Sequence, residues 1–150
     1  MAGDSGTGLV VVAGVDGSAE SVAALSWASR YAAATGGTVR AVLAWHYPAA
    51  AGLAPAGVAP EPVRAETERQ LQATLDEAVA KIDQDQLAAP VQARLSYGHP
   101  AQVLIDESEH ADLLVVGNRG HGAFTGMLTG SVSVHCVNHA ECPVVVVRSR

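Results

Sequence analysis

Aromatic side chains are scarce in this chain: one phenylalanine, two tryptophans and three tyrosines in 150 residues. Any core must therefore be built from small aliphatic groups, and alanine, valine and leucine dominate the composition. That favours alanine-rich helices packed on valine-rich strands. Lysine is nearly missing, since Lys81 is the only one. The nine basic residues are spread along the chain and the net charge is −6. A nucleic-acid binder carries a clustered basic patch, so DNA or RNA is not expected as a partner. Two cysteines, Cys136 and Cys142, are too few for a disulfide framework. No apolar stretch approaches the roughly 20 residues that span a bilayer, so no membrane partner is expected. Met1 to Gly8 is polar and glycine-rich, with no charged leader, and reads as a flexible start. The expectation is one cytoplasmic domain over residues 1–150.

What the chain does have is five short runs rich in valine and leucine. They are Leu9–Ala13, Val39–Trp45, Val91–Leu95, Leu113–Val116 and Val144–Val147. Three of them are almost continuously apolar, as strands buried on both faces of a parallel sheet read. Helical patterns separate them. Ser18 to Ala34 places Val22, Leu25, Ala28 and Ala32 at helical spacing, with Gly36-Gly37 as a stop. Glu61 to Asp83 carries Leu71, Leu75, Val79 and Ile82 in one stripe. Pro100 opens a shorter segment, and Ser131 to His139 ends before Pro143. Strand alternating with helix predicts an α/β fold, a parallel sheet with helices on both faces. Residues 47–62, rich in alanine, glycine and proline, are expected to form a long surface loop.

In open α/β sheets ligands bind beyond the carboxyl ends of the strands. The first strand ends in Gly14-Val15-Asp16-Gly17-Ser18, the second in Ala44-Trp45-His46, and the fourth in Gly117-Asn118-Arg119-Gly120-His121-Gly122. Gly117 and Gly120 are three apart, and nine residues separate Gly120 from Gly130 and Ser131 at the start of the last helix. Glycines let backbone approach a ligand closely. Ser131 can cap the helix, whose first N–H groups attract an anion. Together these make a phosphate cradle, to which Arg119 or His121 adds charge and Ser131 and Ser133 add hydroxyls. The plainer reading is that the glycines only make turns.

These residues resemble the universal stress protein family. Its ATP-type signature, Gly, two residues, Gly, nine residues, Gly and then Ser or Thr, is matched by Gly117, Gly120, Gly130 and Ser131. Val11 to Ser18 looks like the family's opening strand with its aspartate, and Cys142 to Val147 like its terminal strand. The resemblance implies a five-stranded sheet in the order 3-2-1-4-5. It implies that Asp16 and the backbone near Gly14 and Val15 hold adenosine, and that the Ala44 backbone touches the adenine edge. Residues Gly117 to Gly122 and Gly130, Ser131, Val132 and Ser133 would hold ribose and phosphates. The ligand implied is ATP, with AMP or ADP as relatives and Mg²⁺ accompanying the phosphates. The function implied is a nucleotide-dependent stress-response module with at most slow ATP hydrolysis, and no catalytic residue is assigned. In that strand order Val144–Val147 lies at an edge, and an uninterrupted apolar edge invites a homodimer.

Other classes fit less well. A Walker P-loop needs a lysine after its last glycine, and Lys81 lies inside a helix pattern. A dinucleotide fingerprint would need Gly-x-Gly-x-x-Gly after the first strand and an acid near the end of the second; the residues there are Gly14-Val15-Asp16-Gly17 and His46. No Gly-x-Ser-x-Gly elbow is present. A second reading is an interaction module of the same fold without nucleotide binding. A third is a metal or redox site from His135, Cys136, His139 and Cys142, residue types that zinc uses. Against it, His135 and Cys136 point about 100° apart on a helix.

Overall fold

The structure is a computed structural model that describes residues 8–46, 61–83, 89–118 and 131–148. Its elements run β1 (Val10–Gly14), α1 (Ala19–Thr35), β2 (Thr38–Trp45), α2 (Glu61–Asp83), β3 (Val91–Tyr97), α3 (Pro100–Ser108), β4 (Leu113–Gly117), α4 (Ser131–His139) and β5 (Val144–Val147). The strands form one sheet in the order β3-β2-β1-β4-β5, and every pairing is parallel. The expected strand order and α/β class therefore hold.

Side chains alternate across the strands and divide the core into two layers. Val11, Ala13 and Val15 face α1 and α2, and pack with Leu25, Ala28, Leu75 and Ile82. Val12, Leu114 and Val116 face the other way, toward Leu104 of α3 and Cys136 of α4. The Trp45 side chain is buried in the first layer, while Trp27 is half-buried against it. Small residues let α1 lie close to the sheet: Ala24, Ala28 and Ala32 are all fully buried. Alanine loses no side-chain entropy on burial, which suits a chain with so few large side chains.

Helix limits follow local chemistry. Ser18 caps α1, its side chain accepting from the Ser21 N–H at 3.2 Å. Gly36 ends it in the left-handed region at φ 75°, a conformation glycine adopts without penalty. Pro100 opens α3, where the missing N–H costs nothing. The helix expected over Glu61–Asp83 holds at both ends, so Glu61 and Pro62, which the expected long loop also took in, belong to the first turn of α2, where proline is well tolerated. The remaining loop residues, 47–60, lie outside the described residues, as do residues 1–7. Strand β3 runs on to Tyr97, two residues past the expected Leu95, because it pairs with β2 through Ala44↔Ser96 and Trp45↔Tyr97.

Among the described strands β5 pairs only with β4. All four of its valines are half-buried. Apolar side chains reach the surface on the helices of both layers. Trp27 and Tyr31 stack one turn apart on α1, with ring centroids 5.2 Å apart. Glu20, whose carbonyl lies over Gly117 of β4, is on the same stripe of that helix, which puts the pair on the β4–β5 side. On the other layer, Val134 and Val137 of α4 are 41 % and 55 % exposed.

Candidate functional site

The sheet reverses its winding direction between β1 and β4. Val11, Val12 and Ala13 pair with Leu113, Leu114 and Val115. The ends of these two strands therefore bring Gly14-Val15-Asp16 beside Gly117-Asn118. No helix crosses directly above the gap between such strands, because each connection leaves to its own side.

Packing requires glycine at the end of β4, whereas at the end of β1 a Cβ would meet only the movable end of a leucine side chain. A Cβ on Gly14 would lie 2.8 Å from Leu104 Cδ1. A Cβ on Gly117 would lie 2.9 Å from the Glu20 carbonyl oxygen and 3.0 Å from Glu20 Cβ. Gly117 thus lets the first turn of α1 close onto the end of β4. The nearness of backbone that a ligand would use is here also a nearness of helix to strand.

Val15 is buried, and its N–H donates to the Val42 carbonyl at 2.8 Å. Gly14 is in register with Val42, so β2 runs on past the end of β1 through Leu43, Ala44 and Trp45. In a parallel strand the N–H and C=O of one residue share a side, and alternate residues share an edge. Val42 faces β1. Ala44, two residues on, presents its N–H and C=O to the same side, above Val15 and Asp16. This step between the strands is a backbone-lined notch at the switch point.

Asp16 is exposed and opens the turn into α1. Its Oδ1 accepts from the Ser18 N–H at 2.9 Å and from the Ser18 hydroxyl at 2.5 Å. Its own N–H donates to Ser21 Oγ at 3.2 Å, and the Ser21 hydroxyl donates to the Ser18 carbonyl at 3.0 Å. Gly17, at φ 86°, makes the reversal possible. Asp16 therefore orients the capping serine, and its negative charge sits where a helix N-terminus favours one.

Asn118 is buried, and its N–H donates to the Val147 carbonyl at 2.9 Å. Arg119, Gly120, His121, Gly122 and Gly130 lie outside the described residues. The chain is described again at Ser131, which is exposed at the start of α4. Val132 packs into the second layer of the core, and Ser133 is buried beneath it. Of the two serines expected to offer hydroxyls, Ser131 is the one on the open side of the helix.

Sequence reasoning missed the surroundings of the notch. Trp45 and Tyr97 meet edge to face at 4.9 Å, and the Arg64 guanidinium lies 5.1 Å from the Tyr97 ring centroid. His46 and His99 stack with centroids 5.2 Å apart. Away from the notch, on the α3 layer, Glu107 near the end of α3 binds Arg40 at 2.8 Å and Arg94 at 3.0 Å. These partners are far apart along the chain, and no local spacing signals them.

The four residues weighed as a metal or redox site do not converge. His135 and His139 are exposed on α4, whereas Cys136 is fully buried in the core. Cys142 packs half-buried in that same layer. Burial pushes the Cys136 thiol up to about 11, which disfavours the thiolate that a metal requires. Among the described residues no group of three histidine, cysteine or acidic side chains is placed to hold a metal ion. None of the described helices is long and apolar enough to cross a membrane.

The fold defines an open, doubly wound α/β domain with its candidate site at the β1/β4 switch point. The universal stress protein family profile matches residues 10–148. The chain belongs to that family. A universal stress protein of Mycolicibacterium smegmatis is 37 % identical over 142 residues, which is 95 % of this chain and 46 % of that protein. The chain thus spans less than half the length of that relative. Among solved structures, a universal stress protein in complex with cAMP is 28 % identical, with a TM-score of 0.68 over 93 % of this chain and 96 % of the other. The Archaeoglobus fulgidus universal stress protein in complex with dAMP shares the fold, at 21 % identity and a TM-score of 0.65 over 92 % and 95 % of the two chains.

Proposed function

We propose that this chain is an adenine-nucleotide-binding domain of the universal stress protein type. The observation that carries the reading is the notch at the switch point, where Ala44 presents backbone N–H and C=O above Val15 and Asp16, with Gly117 on the other side of the end of β1. An adenine edge offers a donor and an acceptor that match such a backbone pair. Binding of cAMP by a relative of 28 % identity supports an adenine nucleotide as the ligand. ATP is the nucleotide proposed, with its phosphates on Gly117 to Gly122 and on the N-terminus of α4 from Gly130 to Ser133. Mg²⁺ would accompany the phosphates. Hydrolysis is slow at most, since the chain has no P-loop lysine and Asp16 is engaged in capping α1. The role proposed with it is a regulatory one in the cytoplasm.

The proposal extends to a homodimer through β5. On one layer Trp27 and Tyr31, on the β4–β5 side of α1, continue the apolar surface of the edge valines, and α4 on the other layer exposes Val134 and Val137. Pairing two β5 strands about a two-fold axis would cover all of it.

The direct test is the small-molecule content of the purified protein. Denaturing it and analysing the released compounds by mass spectrometry should yield adenine nucleotide. A protein that carries none, and takes up none after incubation with ATP, AMP or cAMP, would favour the interaction-module reading.

A further inference from the structure

We propose that His135 and His139 form a two-imidazole clamp for a divalent transition-metal ion, Cu²⁺ foremost, on the solvent face of α4. The two residues are one helical turn apart, so their side chains emerge on one face. Both are exposed, and their ring centroids lie 5.8 Å apart with the planes tilted by 42°. Among the described residues no hydrogen bond or ion pair engages either ring. The ring nitrogens are therefore available without breaking an existing contact.

The geometry suits a chelate. A metal–nitrogen bond of about 2.0 Å puts an imidazole centroid about 3.2 Å from the ion. Two such rings at a nitrogen–metal–nitrogen angle between about 90° and 109° have centroids roughly 4.5 to 5.2 Å apart. The observed 5.8 Å reaches this range by a small rotation of two unrestrained side chains. The helix end favours a cation as well. His139 is the last residue of α4, where the partial negative charge of the final carbonyls lies. Imidazole suits copper, nickel and zinc, and among these the affinity order places copper first. Water would fill the remaining positions. Cys136, one residue away in sequence, faces the core and takes no part.

The other histidine pair provides an internal control. His46 and His99 stack with planes only 26° apart. The lone pairs of an imidazole lie in its plane, so near-parallel rings direct them side by side rather than toward one point. The α4 pair, held one turn apart on a single helix, is the expected site of tightest binding, and it does not depend on nucleotide binding.

The experiment titrates the full chain with Cu²⁺ alone, by calorimetry and by electron paramagnetic resonance. One equivalent should bind tightly, with hyperfine structure from two nitrogens. His135→Ala and His139→Ala should each weaken that site roughly a hundredfold, since the second ligand no longer binds intramolecularly. Circular dichroism should be unchanged because both rings are exposed, and His139→Gln offers a second variant of different helix propensity. His46→Ala should leave the tight site intact. Survival of the tight site in either α4 variant, its loss in His46→Ala, or the absence of a tight site in the unmodified chain would each overturn the proposal.

Discussion

Asp16 has two separable roles in this account, and substitution can tell them apart. In the free protein its Oδ1 accepts from the Ser18 N–H and hydroxyl, and so holds the cap of α1. Replacing it with alanine removes both bonds at a partly solvated site. Each is worth about 1 kcal/mol, and loss of a helix cap typically costs about 1 kcal/mol. Because the two terms overlap, Asp16→Ala should destabilise by roughly 1 to 2 kcal/mol. For a domain near 150 residues that is a fall of about 2 to 8 °C in Tm. Asp16→Asn retains an acceptor oxygen and tolerates the same turn, so it should lose little stability. Ser18→Ala removes the capping oxygen itself and should cost about as much as Asp16→Ala. The two alanine substitutions should be less than additive when combined, because they break one network. Urea denaturation of the four variants measures this. For nucleotide, Asp16→Ala should weaken ATP binding about tenfold or more, the loss of one charged hydrogen bond. Asp16→Asn should fall between it and the unmodified protein. A destabilisation by Asp16→Ala of less than about 0.5 kcal/mol, the usual size for a neutral surface change, would refute the capping argument. Unchanged ATP affinity in Asp16→Ala would refute the ligand role.

Other perturbations probe other parts of the fold. Gly117→Ala forces a methyl against the Glu20 carbonyl at 2.9 Å and should cost about 1 to 3 kcal/mol, as overpacking does; a denaturation midpoint equal to that of the unmodified protein would show that α1 yields freely. The Cys136 thiol, pushed up to about 11 by burial, stabilises the fold below the pKa of an unfolded thiol, and that contribution is lost as pH rises from about 9 toward 11. Stability should therefore fall by about 2 kcal/mol more in the unmodified protein than in Cys136→Ala over that window, measured by denaturant titration at both ends. Val137→Glu places a charge at an exposed point of α4, the helix that precedes β5, and should shift the mass measured by light scattering from dimer to the 15.3 kDa monomer; a monomeric unmodified protein would contradict the edge-pairing argument.

Much of the fold was legible because the chain marks its elements with simple chemistry. Val144–Val147 is four valines between Pro143 and Arg148, and its limits match the structure. The stripe from Leu71 to Ile82 fixed α2 in the same way. Strand β3 was harder. Its alternating Gln92, Arg94 and Ser96 face a sparsely covered part of the sheet, so apolar periodicity fades before the strand ends. The positions of Gly14, Asp16, Ala44 and Gly117 at one end of the sheet were also foreseeable, since the strand ends follow from the topology. What they do there was less so. That Gly117 makes room for Glu20, or that Asp16 reaches Ser18, depends on distances no spacing encodes. The Arg40–Glu107–Arg94 cluster and the Arg64–Tyr97 stack join residues brought together only by folding.

The most direct test of nucleotide binding at the switch point is a calorimetric titration of ATP into the unmodified chain and into Gly120→Val. In the proposed binding mode the backbone at Gly120 approaches phosphate closely, and a valine side chain would block that approach. The account predicts saturable binding of one ATP per chain, and a folded Gly120→Val variant whose affinity is reduced by a factor of ten or more. Equal ATP affinity in a folded Gly120→Val protein would contradict it.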